Sequence, residues 1–493
     1  MDKKINYINK FHGKDKEKIV SFFQSLDNII YLSRKDKNSF ITDYENYIDF
    51  CLMKKMNIKK ILSLLPLDIL PKGYGKNINI WYPLDNSSKI YPLSMREEMM
   101  SIYRLSVYLK DDINPSVLQM ALNYTVIRFP IFRTSIHKGF FWNYLDGINK
   151  RFKIKEENYL PCSSINISKD KSELFKVTYF RNRINCEFFH VLSDAHGGIT
   201  FLLTLVNEYL RLLDKKIGYN DYALKIDEFN KEEIIDNFKE VKINAKKGSL
   251  IEKKALQLDG KGSIIKPSQI IHFDLDTNKL HALSKEKQVT INELLLSFLF
   301  IVLSYSTSRS GEIKIQVPVN MRKFYPTKSL RNFSLYNTIS IAKDKIKNLE
   351  EVLVIVREQS REKLSREEMD KVFYESIDLV RKVGFLPLFI KEPITKFIYA
   401  HFAEKASTTV LSNLGKIEIP KEMENEVLSA SFSLGTFHTN KLLFSVITIN
   451  NITDLTISKF TDNTSLENNL YNLLNEYHLI IRVHGSDKYE YRK

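Results

Sequence analysis

The spacing of apolar positions changes period several times along the chain, and each change marks an element. Ile19, Phe22, Phe23, Leu26, Ile29 and Ile30 recur at helical spacing. Residues 43–65 continue in the same Lys-rich style until Pro66 and Pro71 interrupt it. Residues 1–75 are therefore expected to be a helical extension packed on the main body. Further on, Leu105, Val107 and Leu109 alternate with polar residues, as in a half-buried strand. Asn114 and Pro115 then supply an N-cap and a first helical residue, with Leu118, Ala121, Leu122 and Val126 as the apolar face and Pro130 as the stop. Residues 132–145 read as a hairpin with Gly139 near its turn, and 174–182 and 184–192 as two more strands. Residues 198–213 are apolar on most sides, which predicts a buried helix.

Residues 214–266 are polar and Lys-rich and read as the boundary between lobes. A second set of elements follows: a strand at "IIHFDLD", a helix over 290–306, a strand over 312–320, a helix over 349–365 and a last helix over 464–476. The segments "TTVLSNLGKIEIP" and "LLFSVITINNITDLTISKF" lie between the last two helices. The first lobe's order of strand, helix and strands is loosely echoed, without a sequence repeat. The expectation is an α/β (α+β) chain of two lobes with mixed, mainly antiparallel sheets. The helical extension is placed at 1–75, the first lobe at 76–265 and the second at 266–493.

Composition narrows the classes. At 493 residues the chain exceeds one compact core, and 43% hydrophobic content fills well-packed interiors. The net charge of +15 suits an anionic partner, but lysines are spread along the chain and no concentrated basic helix, zinc-finger spacing or RNA-binding signature occurs, so no nucleic acid is expected. The three cysteines, Cys51, Cys162 and Cys186, are far apart, which argues against a disulfide framework and for a reducing cytoplasm. The first residues carry no apolar signal-peptide region, and "LLLSFLFIVL" (294–303) is too short to span a bilayer.

Candidate chemistry centres on "CEFFHVLSDAHGGITF" (186–201). His190 stands at a strand end, Asp194 four residues on, and Gly197 and Gly198 just before the buried helix. Glycines permit positive φ and close approach of a substrate to the main chain. A neutral imidazole near pH 7 takes a proton from a hydroxyl or amine. A hydrogen-bonded histidine in a buried turn is the plain alternative. Asp194 either orders the turn by pairing with a cation or holds the ring tautomer. The same spacing recurs at His272 and Asp276, inside an alternating strand with no turn nearby, where a polar strand face is the simpler reading. His190, Asp194 and His196 lack metal-ligand spacing, so no metal is expected. No Gly-x-Ser-x-Gly elbow, dinucleotide fingerprint or phosphate loop is present.

"FFHVLSDAHGG", with "WYPLDNSSKIYP" (81–92), "VPVNMRKFYPTKSLRNFS" (317–334) and "TVLSNLGKIEIP" (409–420), resembles the chloramphenicol-acetyltransferase-like and condensation-domain superfamily, most of all its bacterial alcohol acetyltransferase-like branch. The likeness runs from about residue 81 to about 482. It implies two similar lobes with a tunnel between them, and His190 as general base. Acyl-coenzyme A would be the co-substrate, an alcohol or amine the acceptor, and no cofactor would stay bound. It further implies that Asp194 turns from the substrate to pair with an arginine, for which Arg322 is the candidate. Asn413 and Gly415 either line the tunnel or serve a turn. Two positions depart from the pattern: Phe189 replaces a first histidine, and Ala195 stands where glycine usually follows the aspartate. Ser193 is read as structural and Cys186 as a packing residue. Two other readings stand beside acyl transfer from coenzyme A: a standalone condensation-type enzyme fed by an acyl carrier protein, and an inactive binding scaffold.

Overall fold

The computed structural model describes residues 7–76, 79–95, 100–167, 171–243, 253–260, 269–401, 405–435, 442–461 and 463–485. The expected lobe boundary at 265/266 lies outside the described residues. Among the described residues fifteen strands follow one another: β1 Trp81–Pro83, β2 Ile102–Leu109, β3 Thr134–His137, β4 Tyr144–Gly147, β5 Ile154–Glu156, β6 Phe175–Phe180, β7 Arg183–Phe189, β8 Gln269–Asp276, β9 Glu312–Asn320, β10 Ser334–Ala342, β11 Thr409–Lys416, β12 Val427–Leu434, β13 Leu442–Ile449, β14 Ile452–Lys459 and β15 Ile480–Gly485. They form a small sheet β1-β4-β3, a five-stranded sheet β12-β2-β7-β6-β5 and a seven-stranded sheet β10-β9-β11-β13-β14-β8-β15. Pairings are antiparallel except β5 with β6 and β11 with its two neighbours, so the sheets are mixed and mainly antiparallel, as expected.

The first hydrophobic core lies under the five-stranded sheet and continues without a break into the N-terminal helices Gly13–Ile29 and Arg34–Met53. Tyr44 donates to the Tyr124 hydroxyl at 3.1 Å, and Tyr47 to the carbonyl of Leu212 at 2.8 Å. Asp43, buried, accepts two bonds from Arg151 at 2.6 Å and one from Asn123 at 2.9 Å. Helix Pro115–Arg128 is capped by Asn114, whose side chain accepts from the amide of Val117. All its residues from Val117 onward are buried, well beyond the expected four-residue stripe, because N-terminal helices cover one side and helix Ala195–Leu212 another.

The second core fills the seven-stranded sheet's helical side. Helix Ile291–Tyr305 starts at a capping box between Thr290 and Glu293 and is buried from Glu293 to Ser304. No helix among the described residues is long and apolar enough to cross a membrane by itself.

One strand breaks the expected division of the chain. Residues 427–434, assigned by position to the second lobe, pair with β2 in the first sheet, Phe432 opposite Leu105. Ala430 and Phe432 join the first core, and Ser429, Ser431 and Ser433 alternate with them. The pattern reads weakly because serine occupies every second place. Helices Arg366–Val383 and Leu388–His401 are also absent from the expectation.

Asp43→Ala should leave the largely covered Arg151 unpaired and cost about 3 kcal/mol, the low end for breaking a buried pair. Urea unfolding followed by circular dichroism checks this, and an unchanged midpoint refutes it.

Candidate functional site

β7 delivers His190 to its end, where the chain turns sharply. The His190 amide donates to the Ser101 carbonyl at 2.8 Å, and the Leu192 amide closes back on Phe189 at 3.0 Å. The Tyr103 hydroxyl, reaching up from β2, bonds the carbonyl of Asp194 at 2.8 Å. Asp194 is the N-cap of helix Ala195–Leu212, its Oδ1 accepting from the Gly197 amide. The helix therefore begins three residues before the apolar run that announces it, with Ala195 in ordinary helical geometry.

The expected cation is there. Arg322 Nη1 donates to Asp194 Oδ2 at 2.7 Å, and both groups are buried. The Phe333 amide donates to the same oxygen at 2.9 Å. Arg322 spends three further donors on Ser329 O, Arg331 O and Asn320 Oδ1. Of the two roles left open for Asp194, this is the cation-pairing one. Burial pushes its carboxyl up, but Arg322, with His196, more than reverses this and holds it below the usual carboxylate range.

Gly197 and Gly198 are needed for a different reason from the one expected. Neither has a positive φ. A Cβ on Gly197 would lie 2.2 Å from the Leu330 carbonyl oxygen, and one on Gly198 2.6 Å from the Tyr103 hydroxyl. Both make room for the protein's own chain. Ser193, read as structural, bonds the same Leu330 carbonyl at 2.6 Å.

His190 is held from both halves of the chain. Its ring stacks on Tyr91, centroids 4.6 Å apart, and meets Tyr103 edge-on at 5.2 Å. Its Nδ1 lies 2.8 Å from Asn332 Oδ1. Asn332 Nδ2 donates to the His190 carbonyl at 2.9 Å and to Ser88 Oγ at 2.7 Å, and Ser88 in turn donates to Asp85 at 2.6 Å. With its NH₂ committed to acceptors, the amide must present oxygen to the imidazole. Nδ1 therefore carries the proton and Nε2 keeps its lone pair. Burial lowers the His190 pKa against the opposing pull of Asp194, so the ring is neutral at pH 7. His190 as a residue is half-buried.

Asp85, Ser88, Tyr91 and Asn332 were not anticipated individually, although all lie in the stretches 81–92 and 317–334. No spacing rule singles out a loop asparagine that reaches 142 positions back along the chain.

Other expected residues stand elsewhere. Asn413 bonds Asn292 at 3.1 Å and accepts from the Gly415 amide at 2.8 Å. Gly415 has φ +70° where the β11–β13 register shifts, so this pair builds a bulge. Cys186 is buried in the first core, and burial pushes its thiol up, which suits packing. His272 is buried on the inner sheet face, 2.9 Å from Thr456 and 3.1 Å from Asp454. Asp276, the partner in that second match, caps helix Thr277–Glu286 instead. Asp274, Asp454 and His484 bring ligand-type atoms within 4.8 Å of one another, but Arg482 already bonds Asp274 at 2.6 Å.

A cavity of about 1300 Å³ opens beside the start of helix Ala195–Leu212. His196, Tyr222, Arg322, Lys225 and Lys328 are on its wall, and His190 is not. Burial and Arg322 push the His196 pKa down to about 4, so this ring too is neutral.

No family model and no curated protein matches the chain. Solved structures do. Polyketide synthase associated protein 5 from Mycobacterium tuberculosis is 11% identical, with 80% of this chain and 97% of that one covered at a TM-score of 0.53. The trichothecene 15-O-acetyltransferase of Fusarium sporotrichioides is 11% identical over 81% of this chain and 94% of that one, at 0.50. A variant of the starter condensation domain of rhizomide synthetase, in complex with C8-CoA, is 9% identical over 80% of this chain and 94% of that one, at 0.51. At such identities the likeness is one of fold. The chain has the two-lobed fold of condensation domains and chloramphenicol-acetyltransferase-like acyltransferases.

Proposed function

We propose that the protein is an acyltransferase that moves an acetyl or other acyl group from coenzyme A to an alcohol or amine, with His190 as general base. The observation that carries this is the orientation of one ring. The Asn332 amide holds the proton on Nδ1 and leaves Nε2 neutral, on a residue that is itself half-buried and held from both halves of the chain. Such a nitrogen accepts the acceptor's proton as its oxygen or nitrogen attacks the thioester carbonyl. The new C–O or C–N bond forms, the C–S bond breaks, and the proton passes from Nε2 to the departing thiolate. No acyl-enzyme is required, because Ser193 is committed to backbone carbonyls and Cys186 lies in the core.

A carrier-protein donor would use the same base, and the shared fold favours neither source. Separate incubation with acyl-coenzyme A and with acyl-carrier protein distinguishes them. An inactive scaffold predicts turnover with neither, across a broad acceptor panel.

His190→Ala should lower kcat at least about a hundredfold, the usual scale for losing a general base. Unimpaired turnover removes the ring from the mechanism. Asn332→Asp places a carboxylate against Nδ1 and stabilises the imidazolium, so the acidic limb of kcat/KM should move to higher pH; a limb that stays in place refutes the orienting role. Asp194→Asn keeps the shape but leaves Arg322 unpaired, at about 3–5 kcal/mol. Because the folded-state pKa of Asp194 is lowered, its contribution is present above the unfolded value near 4 and fades as pH falls through the folded one. The stability gap between wild type and Asp194→Asn should therefore be full at neutral pH and close in acid. A gap that stays constant down to strongly acidic pH would falsify the assignment.

A further inference from the structure

Helix Leu388–His401 is built inside out. Phe389, Ile390, Pro393, Ile394, Phe397 and Ile398 form one stripe along it, and all are exposed, Phe389 at 71% and Phe397 at 59%. Turned inward with Leu388 is Lys391, only 2% exposed. Its ammonium lies 3.3 Å from the centre of the Trp142 ring and has no hydrogen-bond partner. Burial, and Lys89 nearby, push its pKa down to about 8. A water-facing helix would gain by the opposite arrangement, with lysine out and phenylalanine in.

The stripe does not stand alone. Phe385, just before the helix, is 72% exposed. The tip of the β3–β4 hairpin adds exposed Phe140 and Phe141 and is fastened to the helix by the Leu388 amide, which donates to the Phe140 carbonyl at 2.8 Å, and by Lys138 with Glu392 at 2.8 Å. The helix packs on the segment Ile90–Ser94, which carries Tyr91, the residue stacked on His190. The residues flanking the stripe carry Lys138, Arg381, Lys382 and Lys396 against Glu375, Asp378 and Glu392, with Lys138 paired to Glu392 and Arg381 and Lys382 to Asp378, on a chain of net charge +15.

We propose that this helix and hairpin tip dock the protein on an anionic lipid bilayer, beside the His190 site. Aromatic and branched side chains flanked by lysine and arginine match the acyl and headgroup layers of such a surface. Charge decides against a second copy as the occupant, since self-association would bring together two chains of net charge +15, whereas an anionic bilayer complements them.

The test is flotation of the full-length protein with vesicles of phosphatidylcholine alone and of phosphatidylcholine with phosphatidylglycerol, at low and high salt. The wild type should float with the anionic vesicles and be released as salt rises. Phe389→Ser combined with Phe397→Ser should weaken binding at least about tenfold with an unchanged melting temperature, as both side chains are exposed. Should that variant fail to fold, Lys396→Gln is the second reading, with an expected loss of about fivefold. Absence of wild-type binding to anionic vesicles overturns the proposal, as does undiminished binding by the phenylalanine or lysine variants. A dimer in size-exclusion chromatography that the phenylalanine variant dissolves, without vesicle binding, assigns the face to a second copy instead. Flotation is read without turnover, so its outcome is separate from that of the acyl-transfer assay.

Discussion

The buried ion pair between Asp194 and Arg322 fastens the loop after β7 to the loop after β9. Two charges taken out of water cost several kcal/mol each, and their attraction offsets this only where the remaining hydrogen-bonding capacity is also filled. Here it is filled. Asp194 adds a helix amide and the Phe333 amide, and Arg322 adds two backbone carbonyls and Asn320. The pair is therefore a strict constraint on how the two loops meet, because any shift strands a buried charge. Gly197 belongs to the same constraint, since the second loop passes so close that a methyl group would strike its backbone.

That closeness sets the chemistry of His190. Arg322 and Asn332 sit on one loop, ten positions apart, so fixing the guanidinium against Asp194 also places the asparagine amide against the imidazole. Asn332 then does for the ring what a carboxylate does in a triad, choosing the tautomer, but without a charge. A carboxylate partner would raise the ring's pKa and favour the imidazolium; a neutral amide in a buried setting leaves the ring unprotonated at neutral pH. The aspartate four residues on serves the loop, and the asparagine from the other half serves the ring.

What the sequence discloses follows from how local each signal is. The end of β7, the Asn114 cap and the buried helix 291–305 are readable because period, cap and stop lie within one short window. Arg322 was reached only through resemblance, and the pairing it implied is present. Asn332, Ser88 and Asp85 were not read out, because a hydrogen-bond relay joining residues some 240 positions apart leaves no periodicity. β12 escaped for a related reason: its identity as a strand comes from pairing with β2, more than 300 positions earlier, and not from its own apolar content. The two glycines were noticed for the freedom glycine allows, whereas the fold uses their lack of a side chain.

The helix at 388–401 shows the converse case, where local pattern and fold disagree. Its apolar stripe is strong enough that sequence reasoning alone would turn it inward. The fold instead buries Lys391 against Trp142 and leaves the phenylalanines in water. Conflicts of this kind between local preference and tertiary placement gather where a surface has a second use. The conflict lies next to the segment carrying Tyr91, which stacks on the His190 ring. A bilayer meeting those phenylalanines would therefore lie one packed segment away from the His190 ring.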